Sequence, residues 1–333
     1  MLQHSYTLPP TADYPLYIIA KRYWIPSFEA NSENPAAKTL IVLHSTSYHK
    51  ETWEPTLEEL FNRISQSNPK VLIRDAWAID CPNHGESAVL NNQAFKDPQF
   101  NSFSCEGYAY AAHRFLSSGP EGGVPVDFRR WNLVGVGHSL GANAMLLLQH
   151  IQPIFRFSKL IIVEPMISVE GTHHLNPLRS RLVSGTSRRQ YKWTSREEAR
   201  NWLTKGRARS WDPRILHVFM YHAIYWNPQA KAFMLSCSPE QEAAMYLDVD
   251  GPTKPVEDLN IICHRIPTHL ILGQLADFIP VHVHKALINP QSGRQFASIT
   301  KIPGVGHLIP QEVPGTLASS IYDALSSRAG CKL

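Results

Sequence analysis

An α/β fold, with a mostly parallel central sheet and helices on both faces, is predicted by three features of the sequence. Strand-like and helix-like segments alternate along most of the chain, the pattern of strand–helix–strand units. The runs Leu40-Ile41-Val42-Leu43 and Leu160-Ile161-Ile162-Val163 are continuously apolar, as strands buried on both faces require. With 333 residues, 43% of them hydrophobic and 18% charged, the chain has ample material for a large core and is too apolar for disorder.

Strands are expected over Leu16–Tyr23, Thr39–His44, Arg74–Asp80, Asn132–His138, Lys159–Glu164, His269–Gly273 and Ala297–Ile302. Helices are expected over Thr56–Ser65, Gly107–Ser117, Leu140–His150, Val281–Ile288 and Gly315–Ser327. Between about Met166 and Ile266 the rhythm changes: buried strands give way to a segment rich in Arg, Trp and Tyr. Helices are expected there over Thr194–Lys205, opened by Thr194-Ser195-Arg196-Glu197 as a capping box, then Pro213–Tyr225 and Pro239–Leu247. The expected organisation is therefore a core of residues 1–165 and 267–330, a helical cap of residues 166–266 inserted after the sixth strand, and a separate C-terminal tripeptide, 331–333.

The net charge of +4 is mild and dispersed and gives no reason to expect nucleic acid. The densest basic cluster, Arg179, Arg181, Arg188, Arg189 and Lys192, is expected to be a solvated loop, with an anionic substrate group as the alternative partner. No apolar run is long enough for a transmembrane helix, and the N-terminus lacks the basic and apolar regions of a secretory signal. Cys81, Cys105, Cys237, Cys263 and Cys331 are scattered, which fits free thiols in a reducing compartment better than disulfides or a zinc site. Cys331-Lys332-Leu333 resembles the S-K-L class of peroxisomal address. It implies an import receptor as partner and a peroxisomal location, the cytoplasm being the expectation without it.

Gly137-His138-Ser139-Leu140-Gly141 lies between the strand-like Trp131-Asn132-Leu133-Val134-Gly135-Val136 and a run of strong helix formers. A G-x-S-x-G at a strand-to-helix junction forms a nucleophile elbow: the serine sits on a turn too tight for side chains at the flanking glycines. The helix N-terminus beneath it favours developing negative charge. A serine hydroxyl needs a base, and the base needs an orienting acid. His307, in Pro303-Gly304-Val305-Gly306-His307-Leu308-Ile309-Pro310, follows the last expected strand and is the best base. Two carboxylates compete for the third role. Glu164 ends the strand directly after the elbow unit, and Asp277, in Gly273-Gln274-Leu275-Ala276-Asp277, follows the seventh strand.

An oxyanion hole is expected from the backbone N–H of Leu140 and one from the loop His44-Ser45-Thr46-Ser47-Tyr48, with Tyr48 preferred and Thr46 the alternative. The turn Asp80-Cys81-Pro82-Asn83-His84-Gly85-Glu86-Ser87 is read as structural. Of the remaining histidines, His138 is expected to pack, and His173-His174 and His282/His284 to lie at the surface or in the cap. Cap aromatics Trp202, Trp211, Tyr221 and Tyr225 are candidate substrate contacts, though aromatics at helical spacing more often form a core.

The G-H-S-L-G elbow, the D-x-P-x-H-G-x-S turn and the G-x-G-H-L-x-P histidine loop together resemble the α/β-hydrolase superfamily over most of the chain. The sequence departs from the commonest pattern where His-Gly becomes His44-Ser45 and where Ser47 replaces glycine. His49-Lys50-Glu51-Thr52-Trp53-Glu54-Pro55, Val163-Glu164-Pro165-Met166, Ser195-Arg196-Glu197-Glu198-Ala199-Arg200 and Ser210-Trp211-Asp212-Pro213 resemble the fungal peroxisomal branch. That branch includes a yeast peroxisomal lipase, toxin-biosynthesis hydrolases and the acyl-CoA hydrolase of mycophenolic acid biosynthesis. The resemblance implies the α/β-hydrolase fold and places the acid after the sixth strand, which favours Glu164. It also implies a serine esterase or thioesterase acting on a secondary metabolite or fatty acyl chain, with no metal or organic cofactor. The alternative is a lyase or cyclase on the same fold, in which Ser139 and His307 move protons without an acyl-enzyme.

Overall fold

The structure is a computed structural model that describes residues 1–67 and 71–327; the tripeptide Cys331-Lys332-Leu333 lies outside the described residues. The central sheet is built from β1 (Leu2–Leu8), β2 (Ile18–Trp24), β3 (Lys38–Leu43), β4 (Ile73–Ile79), β5 (Asn132–His138), β6 (Phe157–Val163), β7 (Thr268–Gly273) and β8 (Ser298–Ile302). Their spatial order is β1-β2-β4-β3-β5-β6-β7-β8. β1 runs antiparallel to β2 and β2 antiparallel to β4, and the remaining pairs are parallel. The fold is thus the α/β-hydrolase fold, with a mostly parallel sheet. The expected strands all form. β1 has no counterpart among them because its residues are largely exposed and polar, as an antiparallel edge strand allows.

Successive residues of the central strands divide between two hydrophobic layers, as the period of two demands. Leu160 and Ile162 of β6 face one core with Leu43, Leu133 and Leu272. Ile161 and Val163 face the other with Val42, Val136 and Ile271. The second layer is closed by helix α1 (Glu54–Gln66), through Leu57, Leu60, Phe61 and Ile64. Short α2 (Gly85–Asn91) follows the turn read as structural. The first layer is closed by α3 (Cys105–Ser118) and α4 (Leu140–Leu148). All nine residues of α4 are buried, so its helicity rests on packing from every side as well as on its Ala and Leu content.

Between β6 and β7 lie α5 (Asn176–Arg188), α6 (Arg196–Lys205), α7 (Pro213–His222), α8 (Pro239–Leu247) and α9 (Lys254–Arg265). A small antiparallel sheet of Lys192–Trp193, Ala232–Leu235 and Ile224–Asn227 joins them. Three residues of the basic cluster expected as a loop, Arg179, Arg181 and Arg188, instead lie on α5, whose Leu178 and Thr186 are buried, while Arg189 caps its end and Lys192 starts the strand Lys192–Trp193. The residues at the end of the expected helix Pro213–Tyr225 turn into the strand Ile224–Asn227, which pairs with Ala232–Leu235. The start of α6 also shifts by one residue. Ser195 is the cap, its hydroxyl accepting from the Glu198 N–H at 3.1 Å, so the reading from Thr194 and Glu197 is corrected.

A third hydrophobic cluster joins Trp193, Leu203, Trp211, Ile215 and Phe219 to Tyr48 from the loop after β3. By contrast α9, inside the segment expected as cap, packs Leu259 and Ile262 into the first core layer. The chain closes with α10 (Val281–Leu287), the short α11 (Ile309–Glu312) and α12 (Pro314–Ser326). No helix among the described residues is long and apolar enough to cross a membrane.

Candidate active site

Ser139 stands between β5 and α4 with φ 55° and ψ −124°, a left-handed backbone that a side chain adopts only under constraint. The constraint comes from close approach on both sides. A Cβ at Gly137 would fall 2.6 Å from the Cα of Ala142, and one at Gly141 would overlap the backbone carbonyl of His44. The Ser139 N–H donates to the Val163 carbonyl at 3.0 Å, and its carbonyl accepts from Ala142 N–H at 3.0 Å. Among the described residues four non-glycine residues have positive φ, and three of them, Ser47, Ser139 and Glu164, meet here. Such clustering is characteristic of sites where geometry is enforced by the surrounding fold.

His307 bridges the serine to a carboxylate. Its Nε2 is 2.9 Å from Ser139 Oγ and its Nδ1 is 3.1 Å from Glu164 Oε2. A carboxylate only accepts, so Nδ1 carries the proton and Nε2 is left to accept from the serine hydroxyl. The other carboxylate oxygen of Glu164 accepts from the Gly273 N–H at 2.6 Å. Burial pushes the Glu164 carboxyl up, but hydrogen bonding and charge from His284 and His307 outweigh it and hold the group at about 2. Glu164 is therefore the carboxylate that faces the imidazole. Asp277 is exposed and accepts from the backbone N–H of His307 at 3.0 Å, fixing the loop and not the ring.

Two further side chains position His307. Phe278 lies flat against its ring, with centroids 4.3 Å apart and planes 9° apart. His138 Nε2 donates to the His307 carbonyl at 2.9 Å, and burial pushes its own titration down to about 3, so it is a neutral packing group as expected of it. His284 is a correction. It was expected at the surface or in the cap, but α10 turns it inward, with Nε2 3.5 Å from Glu164 Oε2. Its one visible signal was Pro280 ahead of a short helix directly after the seventh strand.

The loop after β3 is held by neighbours that the sequence reading left as structural. The Ser47 N–H donates to His84 Nε2 at 2.9 Å. His44 Nε2 accepts from the Cys81 N–H at 3.0 Å, and burial keeps His44 neutral, at about 3. Beneath them Lys50, wholly buried, is ion-paired to Asp80 at 2.9 Å and to Glu51 at 3.0 Å. The Tyr48 N–H donates within the loop, to the Ser45 carbonyl at 3.3 Å, so the amide preferred as oxyanion donor is already engaged. Thr46 N–H has no acceptor among the described residues, and Leu140 N–H opens α4, where no helical acceptor exists.

Ser139 and His307 lie at a cavity of about 420 Å³, lined also by Thr46, Tyr48, Phe278 and Leu308. Trp202 lines this cavity; Trp211, Tyr221 and Tyr225 do not. Trp211 is buried in the third hydrophobic cluster, 5.2 Å from the Phe219 ring. Tyr221 is 69% exposed, and the Tyr225 hydroxyl accepts from Asn227 within its own strand. Arg181 and Arg188 reach the cavity because they lie seven apart on one face of α5, and Arg189, just past its end, reaches it too.

The fold and a buried serine–histidine–carboxylate line define a hydrolase of the α/β class. The chain belongs to the alpha/beta hydrolase family, whose family model matches residues 40–319. It is similar to the type I acyl-CoA thioesterase mpaH of Penicillium roqueforti, 28% identical over 189 residues, covering 54% of this chain and 38% of that protein. The mpaH protein of Penicillium brevicompactum is 27% identical over 197 residues, covering 56% of this chain and 40% of that protein. The chain thus spans about two fifths of the length of these curated relatives. Among solved structures the fold resembles the peroxisomal alpha-beta-hydrolase Lpx1 of Saccharomyces cerevisiae, with TM-score 0.73, 19% identity and coverage of 98% of this chain and 90% of that one. It also resembles the thioesterase domain from the curacin biosynthetic pathway, with TM-score 0.67, 17% identity and coverage of 96% and 99%.

Proposed function

We propose that the protein is a serine hydrolase that cleaves an ester or acyl thioester of a secondary metabolite or fatty acyl chain through an acyl-Ser139 intermediate. The observation that carries this reading is the line from Ser139 Oγ to His307 Nε2 at 2.9 Å and from His307 Nδ1 to Glu164 at 3.1 Å. Ser139 Oγ attacks the carbonyl carbon while His307 Nε2 takes its proton. Glu164, ionised at neutral pH, holds the Nδ1–H and stabilises the imidazolium. The N–H groups of Leu140 and Thr46 receive the oxyanion. As the tetrahedral intermediate collapses, the bond to the leaving oxygen or sulfur breaks and that atom takes the proton from Nε2. Water, deprotonated by His307, then attacks the acyl-serine carbonyl, and the proton returns to Ser139 as the acid departs.

The acyl-CoA thioesterase activity of the mpaH relatives favours the thioester over the simple ester. A cap formed by the segment after β6, with Trp202 at the cavity, would select the acyl group. Peroxisomal location belongs to the same proposal, supported by the Cys331-Lys332-Leu333 tripeptide and by the yeast relative's description. A fluorescent reporter ending in these residues should enter peroxisomes through their import receptor and lose that location when Leu333 is removed.

Fluorophosphonate labelling and hydrolysis of matched esters and acyl-CoAs, in wild type and Ser139→Ala, test the chemistry. Loss of both in the variant supports the reading, and undiminished thioester turnover by Ser139→Ala overturns it. Trapping of an acyl group on Ser139 separates hydrolysis from a lyase or cyclase reaction.

A further inference from the structure

Four guanidinium groups face the cavity that holds Ser139 and His307: those of Arg181, Arg188, Arg189 and Arg207. The one acidic residue lining it is Glu242. That carboxylate is committed to Arg189, which reaches Oε1 through Nη1 at 3.0 Å and Oε2 through Nη2. Arg181, Arg188 and Arg207 form no ion pair with a carboxylate among the described residues, though Arg207 is hydrogen-bonded to the Tyr48 side chain and lies near enough to Glu242 to act on its charge. Four guanidinium groups against one carboxylate leave the cavity with an excess of positive charge beside the reacting serine.

Two of the three without an ion pair pack against aromatic rings. Arg207 lies 5.1 Å from the ring centre of Tyr48 and 5.3 Å from those of Trp211 and Phe219. Arg181 lies 5.9 Å from Phe278, the ring stacked on His307. A guanidinium packed on an aromatic face keeps its N–H edge free for a planar or tetrahedral oxyanion. Arg214, by contrast, is paired with Glu59 and Asp212, and Arg22 with Asp75. Unpaired arginines gathered at one concavity raise the local concentration of anions and steer them inward.

We infer that Arg181, Arg188 and Arg207 form an oxyanion receptor that selects substrates carrying a phosphate or carboxylate away from the scissile carbonyl. The inference rests on the proposed hydrolase reading and adds the class of substrate. The anion has two sources: phosphates of the leaving group, or a carboxylate at the far end of the acyl chain.

Three thioesters of one chain length separate them: octanoyl-CoA, neutral octanoyl-N-acetylcysteamine, and suberyl-N-acetylcysteamine with its free carboxylate. In wild type at low ionic strength, at least one anionic thioester should exceed the neutral one in kcat/KM by about tenfold or more, as charge-assisted hydrogen bonds provide. The preference should shrink with added salt and collapse in Arg181→Gln/Arg188→Gln/Arg207→Gln, mainly through KM. A preference confined to the CoA arm assigns the phosphates; one confined to the suberyl arm assigns the carboxylate. Because Arg207 sits against cap aromatics, the exposed pair Arg181→Gln/Arg188→Gln is measured separately, with thermal melting to verify folding. Equal kcat/KM for all three thioesters in wild type, or an undiminished preference in the variants, overturns the inference. Failure of the serine reading is distinguishable, since Ser139→Ala would then hydrolyse the neutral thioester as wild type does.

Discussion

Ser47, on the loop after β3, donates its hydroxyl to the carboxylate of Glu242 on α8, across 195 residues of chain. Glu242 is in turn gripped by Arg189, and Ser47 Oγ lies 2.9 Å from the Tyr246 hydroxyl. Ser47 holds φ at 73°, a conformation glycine would adopt without cost. Its hydroxyl is thus what ties the loop presenting Thr46 N–H to the helices above the cavity. Glu242→Gln keeps the shape but removes the charge, and Ser47→Gly keeps the backbone but removes the tie. Both should lower kcat by about tenfold, roughly 1.4 kcal/mol of transition-state stabilisation, with less effect on KM. Steady-state kinetics checks this. Ser47→Ala should be worse than Ser47→Gly, because it loses the tie and keeps the strain.

The choice between carboxylates is directly measurable. Glu164→Ala should lower kcat by about 10³–10⁴-fold, the scale seen when the group orienting a catalytic histidine is lost. Asp277→Ala, which releases only the His307 backbone amide, should cost about tenfold or less. Comparable losses from both substitutions in one assay would contradict the geometry.

Glu164 also links stability to acid. Its carboxyl, held at about 2 in the folded protein against an ordinary value of 4.5, binds a proton more readily when unfolded. Its contribution is fully present above about pH 4.5 and is lost as pH falls through about 2, at most about 3 kcal/mol by linkage. Urea unfolding of wild type and Glu164→Gln should show the wild-type advantage shrinking across that window. An advantage constant from pH 6 to pH 3 would exclude this linkage.

Gly141→Ala should be destabilising by at least about 2 kcal/mol, since the new methyl group overlaps the carbonyls of His44 and Leu43 and both belong to backbone. Thermal unfolding would register the loss. Gly185→Ala, where a Cβ meets nothing within 4 Å, is the matched control on α5 and should leave the melting temperature nearly unchanged or raise it.

The strands and the elbow were legible because their signals are local. A strand covered on both faces must be apolar throughout, and a turn with no room for side chains must be glycine at fixed offsets. Hence β3 and β6 and the Ser139 turn follow from residues adjacent in the chain. The helix α5 was hidden because its sequence is dominated by Arg and Ser, which read as a solvated loop, and because little of it is buried. The choice between Tyr48 and Thr46 as oxyanion donor lay beyond the sequence for a similar reason: which amide is free depends on the hydrogen bonds inside the loop, and Tyr48 N–H donates to Ser45.

By itself the sequence determined the α/β architecture, the strand order in the chain, and Ser139 and His307 as the residues to watch. It narrowed the acid to two. Only the tertiary structure decided that Glu164 faces His307 across 143 residues while Asp277 holds its backbone. It also placed His284 against that carboxylate and gathered Arg181, Arg188 and Arg207 at the cavity. The physical reason is range. Burial period and glycine crowding act between neighbours in sequence, whereas hydrogen-bond partners and charge compensation are fixed only when distant segments meet.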